Sequence, residues 1–207
     1  MNAAAGETTS WAGTSRYGLH HPIISGDTAY AAWRDAGLLL PFDRTPLLAP
    51  VPRPGKIVCV GLNYRDHAAE ARMPVPEWPL LFAKYPSAVV GSGAKIELPA
   101  SSGRVDYEAE LAVVIGRRTR RAASAGALNA VFGYTNANDV SERDFQKRDG
   151  QWVRAKSCDT FAPLGPAIVT ADEVGDPDAL PIRLRLNGQT LQDSNTDQFV
   201  FGIAQLI

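Results

Sequence analysis

The sequence predicts a β-rich α+β domain. Short apolar runs containing β-branched residues recur along most of the chain, Gly and Pro punctuate them at close intervals, and few stretches between them are long enough for a regular helix. A length of 207 residues fits one domain with room for a small N-terminal appendage. The chain is 45% hydrophobic and 21% charged, ordinary for a globular protein with a sizeable core.

Charge excludes some partners. Lys plus Arg number 21 against 22 Asp plus Glu, a formal net charge of -1. Such a balance points to neither nucleic acid nor an anionic membrane. The basic run Arg117, Arg118, Arg120 and Arg121 lacks interleaved aromatics and reads as a solvated loop. No apolar run approaches a membrane span, and the N-terminus has no basic segment followed by an apolar block. Two cysteines, Cys59 and Cys158, make no disulfide framework and have no ligand-spaced partner for zinc. The cytoplasm is the expected compartment.

Residues 1–53 form an N-terminal extension and linker. The first 22 or so are rich in Ala, Gly, Ser and Thr. A short helix is expected over Thr28–Leu40, followed by an extended connector with Pro41, Pro46, Pro50, Pro52 and Pro54. The main domain, 54–207, opens on Lys56–Leu62, an apolar run expected to be a buried strand. Tyr64–Ala71 should be a helical turn, with Asn63 as its cap and Asp66 completing an imperfect capping box. Met73–Pro79 is too rich in proline for regular helix.

Short strands are expected at Leu80–Tyr85, Ala88–Val90 and Ile96–Leu98, with the clearest at Asp106–Ile115. A short helix at Ala122–Ala130 precedes a strand at Val131–Asn136 and a helical turn at Ser141–Lys147. Ile168–Thr170 and Ile182–Leu186 read as strands, and Asn187-Gly188 signals a tight hairpin.

Several residue groups carry chemistry. Glu108 and Glu110 stand two apart in a strand-like run, so both point to one face. Paired carboxylates there fit either a hard divalent cation or the solvated face of an edge strand. Asp139 ends an apolar strand and suits a third ligand or a helix cap. His67 and Glu70 share a face at helical spacing, either as a tuned general base or as a surface charge pair. Lys156 lies in a mostly uncharged stretch, where it would face a site and stabilise an enolate or bind a carboxylate, or else lie exposed. Cys59, in an apolar strand, reads as a core residue.

Taken in order, NYRDHAAE, FAKYPSAVVGSG, DYEAELAVVIG, GYTNANDVSERDFQ and GQWVRAKSCDTFAPLGP resemble the fumarylacetoacetate hydrolase superfamily, with its acylpyruvases and dienedioate isomerases. The resemblance runs from about Pro54 to the C-terminus. It implies a mixed β-sheet roll, usually dimeric, acting on a small oxo-acid. It implies that Glu108, Glu110 and Asp139 hold Mg²⁺ or Mn²⁺. It casts His67 and Glu70 as a water-activating dyad on a lid-like helix, and puts Lys156 near the substrate's keto or enolate oxygen. Lys84, Arg143 and Gln146 would line the site or support its ligands. Family members normally continue past the point equivalent to Ile207 with a Thr-Gly-Thr-Pro-like turn, so further strands would be expected there. The implied activity is metal-dependent hydrolysis or lysis of a C–C bond in an acylpyruvate-like acid. Isomerase or decarboxylase activity on an oxo-dicarboxylate is the alternative, as is a shortened metal-binding paralogue without turnover.

Overall fold

The computed structural model describes Asp35, Gly37 and residues 46–207, so most of the helix expected at Thr28–Leu40 lies outside the described residues, as do His20 and His21. Eleven short strands run through the described chain. β1 (Ile57–Gly61) pairs antiparallel with β2 (Leu80–Lys84). β3 (Val89–Val90) pairs parallel with β8 (Ala162–Pro163), which makes the architecture mixed. β4 (Val105–Asp106) pairs with β7 (Ser141–Glu142). The largest sheet is antiparallel, with β6 (Val131–Asn138) between β5 (Ala109–Ile115) and β9 (Val169–Thr170). β10 (Pro181–Leu186) and β11 (Gln189–Asn195) form the expected hairpin. Asn187 at φ 52° and Gly188 at φ 81° make its two-residue turn, both in the left-handed region that Asn and Gly tolerate.

Five expectations change. Ile96–Leu98 is not a strand, because the Glu97 N–H donates to the Thr160 hydroxyl (2.7 Å) rather than to a neighbouring strand. The run Asp106–Ile115 is broken at Tyr107 and Glu108. There side chains take the backbone donors: Asp106 accepts from Tyr107 N–H (3.0 Å) and Asn138 from Glu108 N–H (3.1 Å). Asn63 does not cap the helix Arg65–Glu70. Tyr64 occupies the cap position with no side-chain bond, and the Asn63 amide is engaged elsewhere. The expected helix at Ala122–Ala130 shortens to Ser124–Ala127 and a 3₁₀ turn, Leu128–Ala130. β1 is not wholly buried either, since Val58 on its outer face is 58% exposed.

One apolar cluster joins Ala88, Val140, Phe161 and Ala162, with Ile57, Val89, Val105 and Cys158 against it. Part of the Pro-rich connector belongs to the packed body. Ala49 is buried, and Gly91 lies so close beneath Leu47–Ala49 that a Cβ there would stand 2.0 Å from the Leu47 carbonyl. Gly133 has a similar role in β6, where a Cβ would meet the Val169 carbonyl at 2.2 Å. Gly133→Ala should therefore separate β6 from β9 and cost about 1–3 kcal/mol of stability in urea unfolding. A wild-type midpoint in that variant would show that the strands yield freely.

Candidate active site

The site forms where β5 and β6 run past their last regular pair. The Ala109–Asn138 register continues as a bond from Asp139 N–H to the Glu108 carbonyl (2.8 Å), which sets the two carboxylates side by side. β2 supplies Lys84 from its end, on the face it shares with Phe82. The helix Val153–Lys156 supplies Lys156. That helix is docked by Trp152, whose ring meets Phe82 edge-on at 5.4 Å. Gly61 makes room for it, since a Cβ would sit 2.7 Å from the Trp152 ring.

The charges form one connected network. Lys156 Nζ donates to Glu108 Oε2 and Asp139 Oδ2, both at 2.8 Å, and stands 5.0 Å over the Phe82 ring. Lys84 Nζ donates to Asp139 Oδ1 (2.6 Å) and the Val140 carbonyl (3.2 Å). Arg143 Nη2 bridges Glu108 Oε1 and Asp106 Oδ2, both at 2.7 Å, while its Nη1 donates to Gln146 Oε1 (2.9 Å). Lys156 is only 2% exposed. Burial works against ionised Asp139, but the two ammonium groups outweigh it and hold the carboxyl below its ordinary range. Burial pulls the Lys84 ammonium down despite Asp139 beside it.

Glu110 stands apart. Some of the residue's surface remains accessible, but its carboxyl is enclosed by protein atoms on nearly all sides. That burial, with Glu108 and Asp139 nearby, pushes it up to about 8. The expected trio of carboxylates thus shares one region, in which the lysines' hydrogen bonds go to Glu108 and Asp139 and leave Glu110 aside. An all-oxygen, carboxylate-rich donor set of this kind suits a hard divalent cation. The side chains are not drawn together around one point, however. Among the described residues no three His, Cys, Asp or Glu side chains are gathered closely enough to share an ion, and Lys156 bridges Glu108 and Asp139 instead.

The structure thus brings together Glu108, Asp139, Lys84, Lys156, Arg143 and Gln146, with Glu110 adjoining. It does not join His67 to Glu70. Both are exposed on the helix Arg65–Glu70, with no hydrogen bond between them. Arg143 bonds to the Asp106 and Glu108 carboxylates and to Gln146, which joins the network through Arg143.

Three further residues belong to the site. Asp106 anchors Arg143, and its place in the alternation Asp106, Glu108, Glu110 was a readable signal. Cys59 lies on β1 opposite Phe82, and its thiol is pushed up to about 12 by burial and by Asp139. Its alternation with Ile57 and Gly61 on the inner face pointed there. Tyr64 places a buried hydroxyl beside the Glu110 carboxyl. Only its position beside His67 hinted at this.

Removing one buried partner exposes the worth of the network. Lys84→Met should cost about 3–5 kcal/mol in urea unfolding of metal-free protein, because Asp139 loses a buried counter-charge. Added Mn²⁺ should restore part of that loss. Wild-type stability in the variant would mean that Lys156 alone suffices for Asp139.

Comparison with known proteins agrees with this picture. Residues 56–207 match the family model described as fumarylacetoacetate (FAA) hydrolase C-terminal. The chain is 51% identical over 171 residues to the mitochondrial oxaloacetate tautomerase FAHD2A of Bos taurus, covering 82% of this chain and 54% of that protein. It thus spans about half the length of the curated relatives it matches. The crystal structure of 2-hydroxyhepta-2,4-diene-1,7-dioate isomerase from Mycobacterium marinum superposes with a TM-score of 0.71 at 41% identity, over 81% of this chain and 61% of that one. A maleylpyruvate hydrolase from Sphingobium sp. SYK-6, in complex with manganese (II) ion and pyruvate, gives 0.69 at 34% identity, over 87% of this chain and 64% of that one. With its fold, its carboxylate–lysine cluster and the match across 56–207 in agreement, the chain belongs to the fumarylacetoacetate hydrolase family.

Proposed function

We propose that this chain carries the enolate-forming site of a divalent-metal-dependent hydrolase or lyase acting on a small, acylpyruvate-like 2-oxo acid. The observation that carries the reading is Lys156, a buried ammonium 2.8 Å from two carboxylates, Glu108 just before β5 and Asp139 just after β6. A fixed positive charge in a water-poor site stabilises negative charge that develops on a neighbouring oxygen far better than solvent does. Glu108, Glu110 and Asp139 would hold Mg²⁺ or Mn²⁺, which when bound supplies Lewis acidity toward a carbonyl oxygen.

The remaining work falls to the chain's own side chains. Arg143, held by Asp106 and Gln146, fixes the orientation of Glu108. Lys84 does the same for Asp139. Phe82 and Trp152 shield the Lys156 ammonium from water on one side. His67, three residues from Glu70 on one helical face, is the group that would take a proton from water in hydrolysis.

The tautomerases at about half identity favour a second reading, a keto–enol proton shift or decarboxylation of an oxo-dicarboxylate. That chemistry uses the same enolate-stabilising groups and needs no nucleophilic water. A substrate panel separates the two: pyruvate release from acylpyruvates supports the first, and enol loss or carbon dioxide release from oxaloacetate the second.

Calorimetry tests the shared core. Mn²⁺ should bind, and oxalate, which mimics the enolate of a 2-oxo acid, should bind only to metal-loaded protein. Glu108→Ala should abolish both; unchanged Mn²⁺ affinity in that variant overturns the ligand assignment. Metal binding without oxalate binding or turnover would instead mark a metal-binding paralogue. His67→Ala should keep Mn²⁺ affinity and lower hydrolysis about 10²- to 10⁴-fold. Equal hydrolysis in that variant would remove His67 from the mechanism.

A further inference from the structure

The helix carrying His67 and Glu70 has almost nothing to hold it by burial. It is six residues long, and Ala68 is its single buried side chain. Arg65, Asp66, His67, Ala69 and Glu70 are all exposed. One buried alanine gives too little apolar contact to fix the direction of so short a helix.

Polar contacts at the entry to the helix do what burial cannot. The Asn63 side-chain amide donates to the Phe201 carbonyl (3.1 Å) and accepts from the Phe201 N–H (2.9 Å). The Asn63 carbonyl accepts from Val200 N–H (2.8 Å). Tyr64 forms a β-bridge with Phe199, and their rings meet edge-on at 5.0 Å. The Arg65 guanidinium donates to the Phe199 carbonyl, and the Ser194 hydroxyl to the Asp66 carboxylate (2.5 Å). Every residue from Asn63 to Asp66 is thus fastened to the segment 194–201, more than 120 positions away in the chain.

We propose that Asn63 is a positioning residue, which sets the place of His67 by clamping the start of its helix to the backbone of Phe201. The two amide bonds to Phe201 are the centre of the clamp. Asn63 is buried, so they are shielded from competing water. The amide is matched to a backbone unit, offering one donor and one acceptor to the carbonyl and N–H of the same residue. The segment that receives it is itself braced. Thr196 is fully buried and its hydroxyl donates to the Pro177 carbonyl (2.8 Å), while Asn195 accepts from Asp197 N–H (2.9 Å). The role in catalysis rests on the reading of His67 as the base; the clamp itself does not.

Asn63→Asp tests this with little change of shape. It keeps the acceptor for Phe201 N–H and replaces the donor by an oxygen facing the Phe201 carbonyl. Asn63→Ala removes both bonds. The metal ligands sit on other elements, so Mn²⁺ affinity in calorimetry should stay within about twofold in Asn63→Asp. The His67 ring signal, one of three histidine signals in the chain, should shift and broaden in NMR spectra as its helix loses a fixed place. Turnover of the best oxo-acid should fall about 10- to 100-fold in kcat, with KM moved far less. Should Asn63→Ala fail to fold, Asn63→Asp still decides the matter. An unmoved His67 signal with wild-type kcat overturns the proposal. Loss of Mn²⁺ affinity in step with kcat also overturns it, by marking Asn63 as a general structural residue. If wild-type protein neither binds oxalate nor turns over an oxo-acid, the functional reading fails. The His67 signal then still decides whether Asn63 places the helix.

Discussion

A buried ammonium shared by two carboxylates is the constraint around which this domain is arranged. Lys156 is among the largest fully buried side chains, with Phe161, Glu142 and Val140. An unpaired charge in that position would be prohibitively costly, and a paired one is tolerated only when its partners are held in place. The surrounding elements supply that hold. The β5–β6 register sets Glu108 beside Asp139, β2 brings Lys84, and Arg143 ties Glu108 to Asp106 on β4. Much of the interior's specificity therefore lies in electrostatic pairing, which is directional in a way that apolar packing is not.

The same network explains why Glu142 is buried so close to the site. Its carboxylate caps the helix Arg143–Asp149, accepting from Asp144 N–H (3.0 Å) and Phe145 N–H, and it also accepts from Ser102. A buried acid that satisfies helix-end donors takes the place of the serine or aspartate more often found at such a cap. It fixes the helix start, and Arg143 follows it directly. The guanidinium thereby reaches Glu108 and Asp106 from a rigid base.

Much of this was legible in the sequence. Apolar runs with β-branched residues became β1, β2, β5 and β6, and Asn187-Gly188 made its hairpin. Glu108, Asp139, the two lysines and Arg143 stand in the motifs that carry the family resemblance, and the structure sets them in contact, with Glu110 to one side. Propensity failed where a side chain took over a backbone donor. Thr160 at Glu97, Asn138 at Glu108 and Phe201 at Asn63 are partners 63, 30 and 138 positions away. No local pattern records such a bond. Asn63 misled for a related reason, since a residue suited to cap a helix is equally suited to imitate a peptide unit.

The packed connector bears on where this domain begins. By similarity the family region opens at Lys56, yet Ala49 is buried and the backbone of Leu47 and Leu48 lies against Gly91. Pro50 touches the space above Gly165 in the same way. Gly91 and Gly165 flank the parallel pair β3–β8, whose residues reach the apolar core. The start of the family model's match and a boundary drawn by steric fit thus differ by about ten residues. For grafting, fusion or recombination of this unit, the seam that preserves the fold lies upstream of Leu47.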